Sequence, residues 1–161
     1  IFESQLTSIL ALYRTAEAEV EHLESEIIPL VQELNPRILT IPGIGYITAA
    51  IIVAEYGDFS RFSSASQMLS FAGLEPGYYQ SGTMEFHGKM VKRGSSQLRY
   101  VLMNCVIPLI RFNPVFASYY HKKRTEGKPH RVALSHVAKK LVRVIYTLET
   151  KGIDYDASLL R

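Results

Sequence analysis

The chain has 161 residues, 47% of them hydrophobic and 20% charged, enough to bury a real core and too apolar for wholesale disorder. No apolar run approaches the roughly 18 residues that a membrane span needs, the start does not read as a signal peptide, and the single cysteine, Cys105, excludes an internal disulfide. These features point to a cytoplasmic chain with no membrane partner, and Ile1, which already reads as helix, points to a piece of a longer protein. The net charge of +3 is unevenly spread. Residues 1–35 hold Arg14 and seven glutamates, whereas residues 85–143 hold 13 basic and 2 acidic residues, a net +11. An acidic arm before a basic body implies a polyanionic partner for the body, against the plainer reading of a solvated basic surface.

In chain order, Phe2, Leu6, Ile9, Tyr13, Ala16, Val20, Leu23, Ile27, Leu30 and Leu34 follow alternating steps of three and four. That is the seam of a coiled coil, which predicts a coiled-coil segment over 1–35 and a homo-oligomer formed through it. Glu17, Glu19, Glu24, Glu26 and Glu33 flank the seam, so like-charge repulsion favours an antiparallel pairing or a basic partner helix over a parallel homodimer. Pro29 is expected to kink or end the helix near Ile28. The plain alternative is an amphipathic helix packed on its own domain.

A second unit is expected over 36–161, opened by Asn35-Pro36. A short helix, the bend Ile41-Pro42-Gly43-Ile44-Gly45 and an apolar helix from Tyr46 to Tyr56 give a helix-hairpin-helix-like element over 34–56. A helix from Ser64 to Phe71 follows. Residues 73–94, with Gly73, Gly77, Gly82, Gly88 and Gly94, read as one long irregular basic loop, with a short hairpin around Ser81-Gly82 as the alternative. Helices are then predicted from Ser95 or Ser96 to Arg111, kinked at Pro108, from Asn113-Pro114 to about Gly127, and from His130 to Thr150. The last sets Val132, Val137, Leu141, Val144, Ile145 and Leu148 on one face and Arg131, Lys139, Lys140 and Arg143 on the other. The fold class is all-α.

Three constellations could carry chemistry. In the bend, Gly43 and Gly45 permit a tight turn whose N–H groups, with the start of the next helix, suit a nucleic-acid phosphate. In the glycine-rich loop, Ser81 is followed by Lys89, Lys92, Arg93 and Arg99, cations suited to holding phosphates. A serine hydroxyl is a poor nucleophile without a base or metal to activate it, so the loop alone reads only as a phosphate-binding loop. Further cations, Lys122, Lys123 and Arg124 beside Tyr119-Tyr120, and Lys139, Lys140 and Arg143, are candidate nucleic-acid contacts. Ser95 and Ser96 read as helix caps. The five histidines have no metal-site spacing, and no metal ligand is assigned. Ten tyrosines admit a tyrosine-recombinase reading, but no matching basic catalytic set accompanies them.

The order of Ile41-Pro42-Gly43-Ile44-Gly45, Phe71-Ala72-Gly73-Leu74-Glu75-Pro76, Ser81-Gly82, and Gly88 through Lys92-Arg93-Gly94 to Leu98-Arg99 resembles the C-terminal domain of the insertion-sequence-110 type transposases, relatives of the Piv-type DNA invertases. The resemblance covers roughly residues 35–150, and the preceding coiled coil fits it. It implies DNA transposition or site-specific recombination, with strand cleavage and rejoining by a serine that corresponds to Ser81. It also implies an N-terminal RuvC-like domain, outside this chain, whose four acidic residues hold divalent metal; Mg2+ is expected there and no cofactor in this segment. Some members use a structured guide RNA to choose their DNA. Two rivals from other classes are a non-catalytic DNA- or RNA-binding module that positions other subunits and a coiled-coil adaptor, the latter at odds with the basic segment.

Overall fold

The structure, a computed structural model, describes residues 2–81, 84–90 and 93–160. Its helices are α1 (Phe2–Leu34), α2 (Tyr46–Tyr56), α3 (Ala65–Phe71), α4 (Ser96–Phe112), α5 (Pro114–Thr125) and α6 (His130–Lys151). Short 3-10 turns lie at Arg37–Thr40, Phe59–Arg61 and Ala157–Leu160, and strands β1 (Pro76–Ser81) and β2 (Met84–Met90) pair antiparallel. The all-α class holds, with this one ribbon standing on a helical body.

Local chemistry sets most helix ends. Ser64, Ser95 and Asn113 cap α3, α4 and α5 by accepting first-turn N–H groups. Gly57 and Gly152 end α2 and α6 at positive φ. Asn35, at φ 44, accepts the left-handed conformation after α1, donates its N–H to the Val31 carbonyl, and is followed by Pro36, which cannot extend the helix.

Two expectations are corrected. Of the kink or end expected at Pro29, the end does not occur: helix α1 runs through Pro29 to Leu34. Val31 is buried and Ile27 packs on the core where α1 meets α2, and this packing outweighs one missing helix hydrogen bond. The long irregular loop over 73–94 is instead largely a ribbon. Tyr78 lies opposite His87 and Tyr79 opposite Phe86, residues that favour strands, and between the Pro76–Met90 and Tyr78–His87 pairs the register shifts by one, so that Gly77 faces both Gly88 and Lys89 of β2. A smaller difference is Val132, placed on the apolar face of α6 but 40% exposed in its first turn.

The core is one continuous cluster centred on α6, which packs against α3, α4 and α5. Tyr56 anchors an aromatic group with Phe59, Phe62 and Phe71, ring centroids 5.6–5.9 Å apart. The buried Tyr56 hydroxyl donates to the Met68 carbonyl at 3.3 Å, and burial pushes its pKa well up. Cys105 is buried, its thiol pushed up to about 12 by desolvation, which makes it an inert core residue. After α6 the chain turns back onto the body. Tyr155 donates its hydroxyl to Asn113 Oδ1 at 2.9 Å and its backbone N–H to Thr40 Oγ1 at 2.8 Å.

The bend before α2 is seated on α4. Ile41 and Ile44 are buried, and Gly43, at φ 103, lies so close to α4 that a Cβ there would sit 2.9 Å from Leu109 Cα. Gly45 has ordinary φ, and a Cβ there would meet nothing within 4 Å. Gly43→Ala is therefore expected to cost about 2–4 kcal/mol, from backbone strain and overpacking together. Gly45→Ala should change stability by less than about 1 kcal/mol. Chemical denaturation of the two variants checks this; equal effects would refute the asymmetry.

Candidate nucleic-acid interface

The ribbon is built by cross-strand pairing and held at its root by two glycines. Ser81 pairs with Met84, the end pair of the ribbon, so it stands at the tip. Pro76 pairs with Met90 at the other end, where Lys89 also lies. Five residues at about 3.3 Å each put the tip roughly 17 Å from the root. Gly73, φ 65, packs against the Arg93 carbonyl, and Gly94, φ 103, against the carbonyl of Phe71. No side chain fits at either position, and the two ends of the segment are pressed together on the end of α3.

Ser81 and the cations that follow it in sequence are thus separated. Lys89 and Arg93 sit at the root end, and Arg93 is exposed. The half-buried Arg99 donates Nη1 to the Ala72 carbonyl at 3.4 Å. Lys92, like Gly82, lies outside the described residues. A register reading from sequence could have found this separation only by recognising the ribbon first.

A larger basic surface lies across α5 and α6. Lys140 Nζ is 4.9 Å from the centroid of the Tyr119 ring and 5.7 Å from that of Phe116, and Lys123 Nζ is 5.4 Å from Tyr119. Partial burial lowers the pKa of Lys140, with Lys122 adding to the effect, and that of Lys139, with Arg143 adding to it. Lys139 also feels the carboxylate of Glu75, just before β1, so the basic surface reaches the root of the ribbon. His136 is held below its usual range by burial, then by Lys139, Lys123 and Lys128. Such crowded, part-desolvated cations are relieved by an incoming phosphate.

Not every predicted cation is equally available. Lys123 is bonded to both Glu126 carboxylate oxygens, at 3.0 and 2.8 Å, and Arg124 donates to the Lys128 carbonyl at 2.9 Å. Both hold the α5–α6 turn. Lys122 and Arg143 are exposed. Lys128 was not singled out by sequence reasoning, and His136 was read only as one of five histidines without metal-site spacing. The cationic spacing from His136 through Lys140 to Arg143 along one helix was the available signal. Tyr120 and His130 add a hydrogen bond of 2.7 Å at the same corner.

At α2 the cap is Gly45, which has no side chain to satisfy the first-turn N–H groups. Gly45 is exposed, whereas Gly43 serves packing. Among the described residues no cluster of three or more His, Cys, Asp or Glu side chains could hold a metal ion. Among the same residues no single helix is long and apolar enough to cross a membrane.

The sequence profile of the IS116/IS110/IS902 transposase family matches residues 35–121, from the bend through the ribbon to the middle of α5. The chain is 29% identical to the IS110 insertion-element protein of Streptomyces coelicolor, over 97% of this chain and 37% of that protein. It is 29% identical to the pilin gene-inverting protein of Moraxella bovis, over 86% of this chain and 44% of that protein. Against the IS1111A transposase of Coxiella burnetii the identity is 37%, over 74% of this chain and 34% of that protein. The chain thus spans well under half the length of these relatives. With the profile covering more than half of its residues, the chain belongs to the IS116/IS110/IS902 transposase family.

Proposed function

We propose that this chain is the DNA-acting segment of a recombinase that moves or inverts DNA, with Ser81 as the nucleophile that cleaves and rejoins strands. It works with an N-terminal domain that holds Mg2+ and with a structured guide RNA. The observation that carries this reading is the ribbon itself. β1 ends on Ser81, at the end of the ribbon farthest from the helical body, and the ribbon's root opens onto the α5–α6 cations. A hydroxyl there can meet a phosphodiester while the body grips neighbouring phosphates. In the cleavage step the serine oxygen bonds to phosphorus and the bridging bond to one deoxyribose oxygen breaks. The hydroxyl proton passes to a base, and the departing oxygen gains a proton. Rejoining is the reverse, onto a deoxyribose hydroxyl of the new partner strand. The name of the Moraxella bovis relative, a gene-inverting protein, fits this chemistry.

Nucleic-acid binding comes from Lys122, Lys139, Lys140 and Arg143, with Lys89, Arg93 and Arg99 near the ribbon root, Lys92 of the same basic segment, and the open start of α2 as a phosphate site. Assembly comes from α1. Phe2, Leu6, Ile9, Tyr13, Val20 and Leu23 are all 46–88% exposed, a continuous apolar stripe that a second copy would cover as a coiled coil.

Three outcomes are expected. In the full-length protein, Ser81→Ala abolishes strand exchange and the covalent protein–DNA adduct while leaving DNA binding nearly intact; recombination at the wild-type rate, or an adduct mapped elsewhere, refutes the assignment. A protein that binds but never forms an adduct would be a positioning module instead. Binding of duplex DNA or structured RNA by this chain should weaken steeply with salt, with a log–log slope of about −3.6 if four phosphates of B-DNA are neutralised. Gly45→Val should lower that affinity without altering sequence preference, and a flat salt response would sink the electrostatic reading. Finally, light scattering should show self-association that is lost when residues 2–26 are removed; monomers in both cases would exclude the coiled coil.

A further inference from the structure

The ribbon leaves the body at a junction of three helices, and one side chain from a distant part of the sequence reaches into it. Ser95, the first residue after Gly94, donates its backbone N–H to the Phe71 carbonyl at 2.9 Å. Its Oγ accepts the Leu98 N–H at 3.0 Å, which caps α4, and donates its proton to Glu55 Oε2 at 2.6 Å. Glu55 lies on α2, 40 residues earlier, and is half-buried. On the other side of the junction Gly73 packs on the Arg93 carbonyl, and Arg99 reaches the Ala72 carbonyl. Capping α4 requires only that Ser95 accept a hydrogen bond. The short, charge-assisted bond to Glu55 goes beyond capping. It fixes the hydroxyl rotor, and it ties the exit of the ribbon to α2 as well as to α3.

We infer that Glu55, acting through Ser95, is a positioning residue that sets the angle at which the ribbon leaves the helical body, and with it where the Ser81 hydroxyl arrives. The inference rests on the reading of Ser81 as nucleophile. Leverage gives the effect its size. With the tip roughly 17 Å from the root, a tilt of about 5° at the junction moves the tip by about 1.5 Å. A misplacement on the order of 1 Å is enough to slow a positioned reaction by up to about 100-fold. The phosphate contacts of Lys122, Lys139, Lys140 and Arg143 on α5 and α6 do not pass through this junction, whereas Arg93 and Arg99 lie at it, so DNA affinity should fall far less than the rate.

The test uses the full-length protein and a DNA substrate, with single-turnover formation of the serine–DNA adduct, DNA affinity and thermal unfolding measured side by side. Glu55→Ala should slow adduct formation at saturating DNA roughly 10- to 100-fold, with DNA affinity changed by no more than about 3-fold. Glu55→Gln, whose amide oxygen still accepts from Ser95, should return close to the wild-type rate. If Glu55→Ala does not fold, Glu55→Asp carries the same test, because it keeps the charge and withdraws the oxygen by about 1.5 Å. A second readout does not depend on the chemistry. Spin labels on Met84→Cys and Lys151→Cys, in a Cys105→Ala background, should report a broadened tip-to-body distance distribution in Glu55→Ala and a narrow one in Glu55→Gln. A folded Glu55→Ala or Glu55→Asp protein with the wild-type adduct rate and an unchanged distribution overturns the inference. So does a rate loss that only parallels lost stability or lost DNA binding. If the wild-type adduct maps away from Ser81, the nucleophile assignment fails by itself, and an unchanged distance distribution would then reject the role of Glu55 independently.

Discussion

The body of this protein depends on the burial of α6. Ala133, Leu134, Val137, Ala138, Leu141, Val142, Val144, Ile145 and Leu148 are all buried, a stripe wide enough to receive α3, α4 and α5 at once. Helices α3 and α5, of 7 and 12 residues, would be marginal alone in water. They persist because each lays an apolar face against the same long helix. Lys139, Lys140 and Arg143 occupy the margin of that helix. The stem of Lys140 covers Tyr119 and Phe116 while its ammonium stays at the surface. The element that organises the core thereby also carries the cationic surface, at the cost of partial desolvation that bound phosphate would offset.

The bend before α2 is fixed from several directions. Glu149 of α6 accepts the Ile38 N–H at 2.7 Å, Arg37 pairs with Asp154 at 2.9 Å, and Tyr155 bonds to Thr40. Tyr155 also stacks on Phe116 and bonds to Asn113, so the segment after α6 links the bend to the α4–α5 corner. Asn113 is 1% exposed, and its Nδ2 has no partner among the described residues. That loss is tolerated where the Oδ1 atom both caps α5 and receives the tyrosine hydroxyl. The consequence for function is a rigid platform. The start of α2, the α5–α6 cations and the root of the ribbon are all attached to the same helices.

Against that platform, α1 and the ribbon stand out. Most of α1 carries its apolar stripe away from the body, and only its last turns dock on α2. The ribbon is separated from the body in another sense. Its paired strands set Ser81 at one end and Lys89 at the other, so on the proposed reading the reacting group and the phosphate contacts are spaced by the length of the ribbon.

Much of the helical layout was legible in the sequence, because helix ends are decided locally. Ser64, Ser95 and Asn113 as caps, Gly57 and Gly152 as stops, and the boundary at Asn35-Pro36 depend on residues within one turn of each other. The uneven charge and the heptad steps of α1 were equally plain, and the family resemblance singled out Ser81 as the candidate nucleophile. What tertiary structure decided has a common physical cause, contact between residues far apart in the chain. Pro29 stays inside α1 because α2 packs on its last turns. Residues 76–81 and 84–90 become strands through pairing with each other, despite glycines that locally favour a loop. Gly43 is required by the backbone of Leu109 rather than by its own turn, while Gly45, two residues on, is left open. Glu55 meets Ser95 only because α2 crosses α4, and no spacing or motif on either side of that 40-residue gap could have announced it.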